Sequence, residues 1–342
     1  MSIALDLLTW YNVNKRDLVW RHTKNPYYIW ISEIMLQQTQ VDTVIPYYVR
    51  FIERFKSPHD LATASQVEVY KYWEGLGYYS RARNLQTSAQ MIVNKFNGQL
   101  PNSIEELLSL KGIGPYTANA IGSIAFNLNV FALDGNGLRI ISRLYDIEEN
   151  IALPKTMKQI QSIGDELIKG VNAGDFNQAI MDLGAMICRP KKPNCLTCPI
   201  NNHCLAYKHQ HQDVLPINIK KKNNQDLHYI TGGIYYEDKL YLVKNKPDGL
   251  LANLYGFKQY EVESPYSFIE NFKAETGLDL DVVEHIKDVK HVFSHRTWYM
   301  HVYIFKLSSS VDHLYTKKEI DELPISTAHT KVLKSIYTYL KL

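Results

Sequence analysis

An all-α front followed by an α/β back is the fold class this sequence predicts. Three observations carry it: helical apolar spacing recurs up to about residue 208, alternating and β-branched runs begin near residue 228, and a polar, basic stretch separates them. A length of 342 residues fits two domains of about 100–200 residues each. The opening segment MSIALDLLTWYNVNKRDLVWR lacks a basic leader with a small-residue cleavage site and reads as an amphipathic helix. Apolar residues then recur at helical spacing in Ile104-Leu107-Leu108 and Ile160-Ile163-Leu167-Ile168, with Gly and Pro punctuation (Gly75, Gly77, Pro101, Pro154, Gly174) between such runs. PINIKKKNNQD, Pro216–Asp226, has no apolar period and suits a linker spanning 216–227. Beyond it, HYITGGIYY, KLYLVKN and YMHVYIFKL read as strands and STAHTKVLKSIYTYLKL as a closing helix. The expected division is a helical domain over 1–215 and an α/β domain over 228–342.

Composition describes an ordinary globular protein, 45% hydrophobic and 21% charged. A net charge of +3 does not demand a polyanionic partner, so nucleic-acid binding would have to come from local patches. No stretch approaches the roughly 20 apolar residues of a membrane span. With clustered thiols and no secretory signal, a reducing cytosol is the expected compartment. The 24 tyrosines suit base stacking and phosphate contacts, and equally ordinary half-buried rings.

All four cysteines, Cys188, Cys195, Cys198 and Cys204, lie in CRPKKPNCLTCPINNHC with C-x6-C-x2-C-x5-C spacing. A chain this long does not need disulfides, so convergence on one metal centre is the favoured reading. Zinc and a [4Fe–4S] cluster both accept four thiolates. A single C-x2-C knuckle in an uneven run, with Pro199 directly after it, favours the cluster and leaves zinc as the alternative. Lys191 and Lys192 sit in the first inter-cysteine loop, with Arg189 at its start, either as a solvated basic surface or as charge offered to a polyanion.

Three further motifs carry chemistry. In LKGIGPYTANAIGSIAF, Gly112 and Gly114 flank Ile113 between two helical runs, the second starting near Pro115. Glycines there allow a tight turn, and free N–H groups at the helix start attract a phosphate. The pattern is a helix-hairpin-helix that grips a DNA backbone without reading bases; a plain αα-hairpin is the bland alternative. In ALDGNGLRIISRL, Asp134 stands at a helix start, where Asp is a common N-cap and where an ionised carboxylate is favoured. In WISEIMLQQTQV, Glu33 lies in an apolar helical segment; losing water there would make it a weaker acid suited to general-acid work. It could equally be a first-turn Glu after a Ser32 cap. A desolvated Glu33 and a capped Asp134 together form the acid/anion pair that cleaves glycosidic bonds. In a continuous helix Gln38 would share the core face of Ile31, Ile34 and Met35, so a role outside the core requires the helix to stop or bend at about Gln38–Thr39.

Taken in order, WRHTKNPYYIWISEIMLQQTQV, GLGYYSRARNL, GIGPYTANAI, DGNGLRI and NQAIMDLGAMICRPKKPNCLTCP resemble the helix-hairpin-helix DNA glycosylases and, within them, the adenine DNA glycosylases (the MutY family). The resemblance covers the whole helical front. It implies a base-excision repair enzyme that flips adenine opposite 8-oxoguanine or guanine out of double-stranded DNA and hydrolyses its N-glycosidic bond. In that light Glu33 matches the acid that protonates adenine, and Asp134 the carboxylate that stabilises or bonds the oxocarbenium-like sugar. Tyr116 and Asn136 match groups that position these two. Gln38 and Tyr78 match residues wedged into the duplex, Gln178 one that contacts the extruded adenine, and Arg21, Leu36 and Thr39 line the same region. Gly112 and Gly114 hold the DNA backbone, and the four cysteines carry a [4Fe–4S] cluster. The family also implies a monomeric protein of the bacterial cytoplasm, associated with the nucleoid.

The chain departs from endonuclease III-like relatives at Tyr116, where those enzymes carry the lysine that forms a Schiff base; Leu138 stands where some adenine glycosylases carry another. A monofunctional glycosylase with little lyase activity is expected. The back resembles the Nudix-like domain of the family. Its FKAETGL segment retains Glu275 and Gly277 but lacks the paired acids that bind magnesium, so nucleoside diphosphate hydrolysis is not expected. Phe293, Ser294 and His295 match the loop that recognises 8-oxoguanine. An electron-transfer protein would leave the glycine hairpin and the acid pair without a role, and a non-catalytic DNA-binding protein would leave the base in place.

Overall fold

Side-chain caps start most helices of the front. Ser2, Asn25, Ser57, Ser103, Asp134 and Asn172 each accept a backbone N–H of the turn they open, and Pro26, Pro58, Pro115 and Pro154 occupy first-turn positions where no donor is lost. The computed structural model describes residues 2–219, 225–247, 249–293 and 295–342. Its helices run α1 (Ile3–Asn14), α2 (Pro26–Leu36), α3 (Val41–Arg54), α4 (Pro58–Thr63), α5 (Gln66–Trp73), α6 (Ser80–Lys95), α7 (Ile104–Ser109), α8 (Pro115–Phe126), α9 (Gly135–Leu144), α10 (Pro154–Leu167), α11 (Ala173–Met186) and α12 (Leu205–His209). No helix is long and apolar enough to cross a membrane among the described residues.

Two compact units emerge: Met1–Ala64 with Arg83–Lys221, and Ser65–Ala82 with Lys222–Leu342. The segment Ser65–Ala82, which the sequence places in the helical front, groups with the second. Tyr79 there donates to the Ile325 carbonyl at 3.2 Å, its ring meets Tyr70 edge-on at 5.4 Å, and Lys71 donates to the Asp321 carbonyl.

In the first unit α11 is central, packing on α1, α8 and α9, while α2 packs on α3 and α8. The shared core draws Leu7 and Tyr11 from α1, Ile140, Ile141 and Leu144 from α9, Ile160 from α10 and Phe176, Ile180 and Leu183 from α11. Partly buried Cys188, Cys198 and Cys204 pack against its edge.

The second unit is an α/β layer structure. Its strands are β1 (Gln225–Tyr236), β2 (Lys239–Tyr241), β3 (Val243–Lys244), β4 (Tyr255–Gly256), β5 (Lys258–Tyr260), β6 (Leu280–Val292), β7 (Arg296–Leu307) and β8 (Leu314–Tyr315). The main sheet has the order β6-β7-β1-β2-β8, with β5 also on β1; β1 and β7 run parallel and β6 and β7 antiparallel. Helices α13 (Pro265–Thr276), α14 (Lys317–Glu322) and α15 (Thr327–Leu340) complete the unit. The alternation in β7 divides the core: Met300, Val302 and Ile304 meet Val332 and Ile336 of α15, whereas Phe305 and Leu307 meet Phe268 and Phe272 of α13.

Phe268 is fully buried and stacks on Phe305 at 4.5 Å. Phe268→Ala should destabilise the second unit by about 3–5 kcal/mol, read as a fall in the urea midpoint of that unit's transition. A loss below about 1 kcal/mol would contradict this packing.

Candidate active site

Glu33 lies in the interior of α2, not in a first turn after Ser32: the helix is capped by Asn25, and Ser32 Oγ donates instead to the Ile29 carbonyl. Isoleucines 29, 31 and 34 with Trp30 and Met35 fill the same helix, leaving Glu33 5% exposed. Burial pushes its carboxyl from 4.5 up to about 7, and Asp134 adds to the rise, while the Tyr116 hydrogen bond and the Arg21 charge moderate it. Tyr116, on the first turn of α8, donates its hydroxyl to Glu33 Oε2 at 3.0 Å. Burial, then the charges of Glu33 and Asp134, hold the Tyr116 phenol well above its usual range, so it stays a donor.

Asp134 is the N-cap of α9. Its Oδ1 accepts the Gly137 N–H at 2.7 Å and its Oδ2 the Asn136 amide at 2.6 Å. Burial raises this carboxyl as well, so the cap alone does not hold it below the usual range as the helix start implied; the Gly137 and Asn136 bonds and the Arg139 charge limit the rise. Arg139 was not evident as a site residue from the sequence. Its Nη2 donates to Asn136 Oδ1 at 2.8 Å and to the Gly184 carbonyl at 2.9 Å, and its Nε to the Cys188 carbonyl at 2.7 Å. Gly184 is what allows this approach, since a Cβ there would lie 2.6 Å from Asn136.

A small pocket open to solvent is lined by Glu33, Tyr116, Arg21, Leu36, Gln178 and Met181 among others. Arg21 forms a fork on Asp182, Nη1 to Oδ2 at 2.7 Å and Nη2 to Oδ1 at 2.9 Å, and Arg16 Nε adds a third bond at 2.7 Å. Burial pushes the Asp182 carboxyl up, but the Arg21 bonds and charge, with Arg16 behind them, bring it below its usual range. Gln178 is buried on α11, its amide donating to the Gly174 carbonyl at 3.1 Å.

At the end of α2 the helix stops at Leu36, with Gln37 at the C-cap, and Gln38 takes a left-handed φ of 58°. Gln38 is therefore exposed and not on the core face, as the required break implies. Gln37, which the sequence reading passed over, donates to Thr117 Oγ1 at 3.2 Å, and half-buried Thr39 follows. The glycine hairpin lies between α7 and α8. Gly112 has φ 80° and would place a Cβ 2.9 Å from Asn84, so both conformation and space require glycine. Gly114 is the N-cap of α8; no side chain caps that helix, and a Cβ at Gly114 would meet nothing within 4 Å.

The four cysteines are free thiols around one small cavity with Arg143, Asn194 and Tyr207. Burial pushes Cys198 up to about 12, and the neighbouring thiolates raise it further; Cys195 and Cys204 rise for the same reasons. Bound iron or zinc would offset that crowding of thiolates. Tetrahedral zinc, with Zn–S near 2.3 Å, draws its sulfurs to about 3.8 Å apart, yet among the described residues no three of these sulfurs come within 4.8 Å of one another. The donor set fits a larger metal–sulfur group better than a single ion. Arg143 braces the loop, donating to Cys188 Sγ at 3.3 Å and to the Arg189 and Pro190 carbonyls at 2.8 and 3.1 Å. Arg189, Lys191 and Lys192 are exposed.

Residues 31–166 match the HhH-GPD superfamily base excision DNA repair protein family and residues 230–335 the NUDIX domain. An adenine DNA glycosylase of Buchnera aphidicola subsp. Baizongia pistaciae is 37% identical over 306 residues, 86% of this chain and 83% of that protein. The chain belongs to the adenine DNA glycosylase family. The adenine DNA glycosylase of Mus musculus is 42% identical over 212 residues, 59% of this chain and 41% of that longer protein. Among solved structures, a thermostable thymine-DNA glycosylase matches with a TM-score of 0.56 at 31% identity, over 60% of this chain and 95% of that one.

In this adenine DNA glycosylase family member, the remaining residues singled out from the sequence lie in the second unit. Tyr78 is 46% exposed with φ 50°, and the Arg81 guanidinium lies 5.5 Å from its ring. In the β6–β7 turn, Phe293 packs edge-on against Trp298 at 4.8 Å and its N–H donates to the Arg296 carbonyl, while His295 is exposed. Ser294 lies outside the described residues. Glu275 is taken up by Lys258 and by the Tyr260 hydroxyl at 2.6 Å, and the Lys258 bond holds its carboxyl below the usual range.

Because the Tyr116 bond favours ionised Glu33, Tyr116→Phe should move the Glu33 pKa further above about 7, by roughly 0.5–1 unit. A group acting as an acid works while protonated, so the alkaline limb of the pH–rate profile should shift upward by that amount. Single-turnover rates between about pH 5 and 9 measure it, and an unmoved or downward-shifted limb contradicts the assignment.

Proposed function

We propose that the chain removes adenine paired with 8-oxoguanine or guanine in double-stranded DNA by hydrolysing its N-glycosidic bond. The observation that carries this reading is the pairing of a buried, hard-to-ionise Glu33 with Asp134, a carboxylate held by two hydrogen-bond donors and backed by Arg139. In a cleaved nucleoside, Glu33 gives its proton to the leaving base and Asp134 faces the developing positive charge on the sugar. Tyr116 orients Glu33, and Asn136 orients Asp134. Arg21, Leu36, Thr39 and Gln178 line the space for the flipped base, and Gln38 and Tyr78 enter the duplex. The Gly112–Gly114 turn takes a phosphate at the start of α8. In the second unit, Phe293, Ser294 and His295 contact the oxidised guanine, and Glu275 serves as a brace, not a magnesium ligand.

Cys188, Cys195, Cys198 and Cys204 would hold a [4Fe–4S] cluster, which when bound fixes the loop that presents Arg189, Lys191 and Lys192 to phosphate. The protein acts as a monomer on DNA in the cytoplasm.

Glu33→Gln should lower single-turnover adenine release from duplexes with adenine opposite 8-oxoguanine by at least about 10²-fold and leave duplex binding within about threefold of wild type. Full activity in the variant would remove Glu33 from the acid role. With Tyr116 in place of a lysine, borohydride should trap little covalent enzyme–DNA adduct; efficient trapping, seen as a shifted band on denaturing gels, would refute the monofunctional reading.

A further inference from the structure

We propose that Asp146, His209 and His211, with Glu148 beside them, form a site for a borderline divalent cation such as Zn²⁺. It is separate from the cysteine loop and does not depend on the glycosylase reading. Two chain reversals build it. Past the end of α9, Asp146 takes a left-handed φ of 52°, and the Ile147 N–H turns back to the Ser142 carbonyl at 2.8 Å. Past the end of α12, Gln210 takes a left-handed φ of 64°, and the His211 N–H returns to the Ala206 carbonyl at 2.7 Å. The histidines on either side of Gln210 both bring Nδ1 to the same carboxylate. His209 Nδ1 is 2.7 Å from Asp146 Oδ2, and His211 Nδ1 is 3.0 and 3.1 Å from its two oxygens. Glu148 Oε1 lies 3.6 Å from His211 Nδ1.

One ligand atom from each of Asp146, His209 and His211 falls within 4.8 Å of the others. The spread suits a single ion, with metal–nitrogen and metal–oxygen distances of about 2.0–2.2 Å. Two imidazole nitrogens with one carboxylate are a donor set that zinc and its neighbours take, whereas magnesium and calcium want oxygen throughout. Glu148 or water would complete four-coordination. Access requires no opening of the core, because the Asp146 side chain is 13% exposed and those of His209 and His211 are 47% and 39% exposed. A cation here would tie the chain leaving Cys204 to the C-terminal end of α9.

The test uses the iron-loaded protein after removal of loosely held ions by a chelator. Zn²⁺ and Mg²⁺ uptake are measured separately by equilibrium dialysis, with iron content followed in the same samples. Wild type should bind one equivalent of Zn²⁺ more than His209→Gln, His211→Gln or Asp146→Asn, and no Mg²⁺ at this site. Asparagine accepts the left-handed backbone, so Asp146→Asn removes the charge while keeping the turn. Loss of a supporting group alone weakens metal sites by about 10–100-fold, so each of these ligand substitutions should weaken binding by at least about tenfold. Zn²⁺ should also raise the thermal midpoint of wild type but not of the variants. Equal Zn²⁺ uptake in all four proteins, or uptake that appears only as iron is lost, would overturn the site.

Discussion

Keeping the Glu33 and Asp134 carboxyls out of water within one helical unit is the constraint that the rest of the first unit answers. A carboxylate out of water must be given donors or remain protonated. Glu33 receives one donor, the Tyr116 hydroxyl, and its pKa rises to about 7. Asp134 receives the Gly137 N–H and the Asn136 amide, with Arg139 behind them. The protein thus serves the pair unequally, with two donors and a guanidinium at Asp134 against one hydroxyl at Glu33, and the Asp134 charge adds to the rise at Glu33.

The same constraint organises the arginines. Arg139 and Arg143 point from α9 into the cysteine loop and find backbone carbonyls of Gly184, Cys188, Arg189, Pro190 and Leu215. Each buried guanidinium therefore has partners in place of water, and the Cys188, Arg189 and Pro190 carbonyls past the end of α11 gain charged donors. On the other side, Asp182 takes both Arg16 and Arg21, which leaves a guanidinium near Glu33 whose charge is already answered.

Local signals were readable where their cause is local. Asp134 announced the start of α9, the Gly112–Gly114 turn announced α8, and the apolar neighbours of Glu33 announced its loss of water. The Ser32 cap alternative fails because Asn25 and Pro26 open the helix about two turns earlier. Arg139 and Gly184 were invisible because their importance lies in a meeting of α9 with α11, distant in sequence. Strand β6 was also missed: LDVVEHIKDVKHV has broken alternation, and the ladder with β7 slips between Val282 and Glu284 and again between His285 and Lys287. The grouping of Ser65–Ala82 with the second unit rests on Tyr79 and Lys71, whose partners lie some 250 residues away.

The left-handed residue after α2 has a consequence for how that position can change. An L-residue there gives up roughly 1–2 kcal/mol of backbone preference, which glycine would recover in large part. Yet the residues that relax the backbone are glycine, asparagine and aspartate, and none reaches as far as a glutamine amide. Longer side chains keep the reach and keep the strain. Position 38 therefore passes substitutions through two unrelated filters, conformational ease and length, and the overlap between them is narrow.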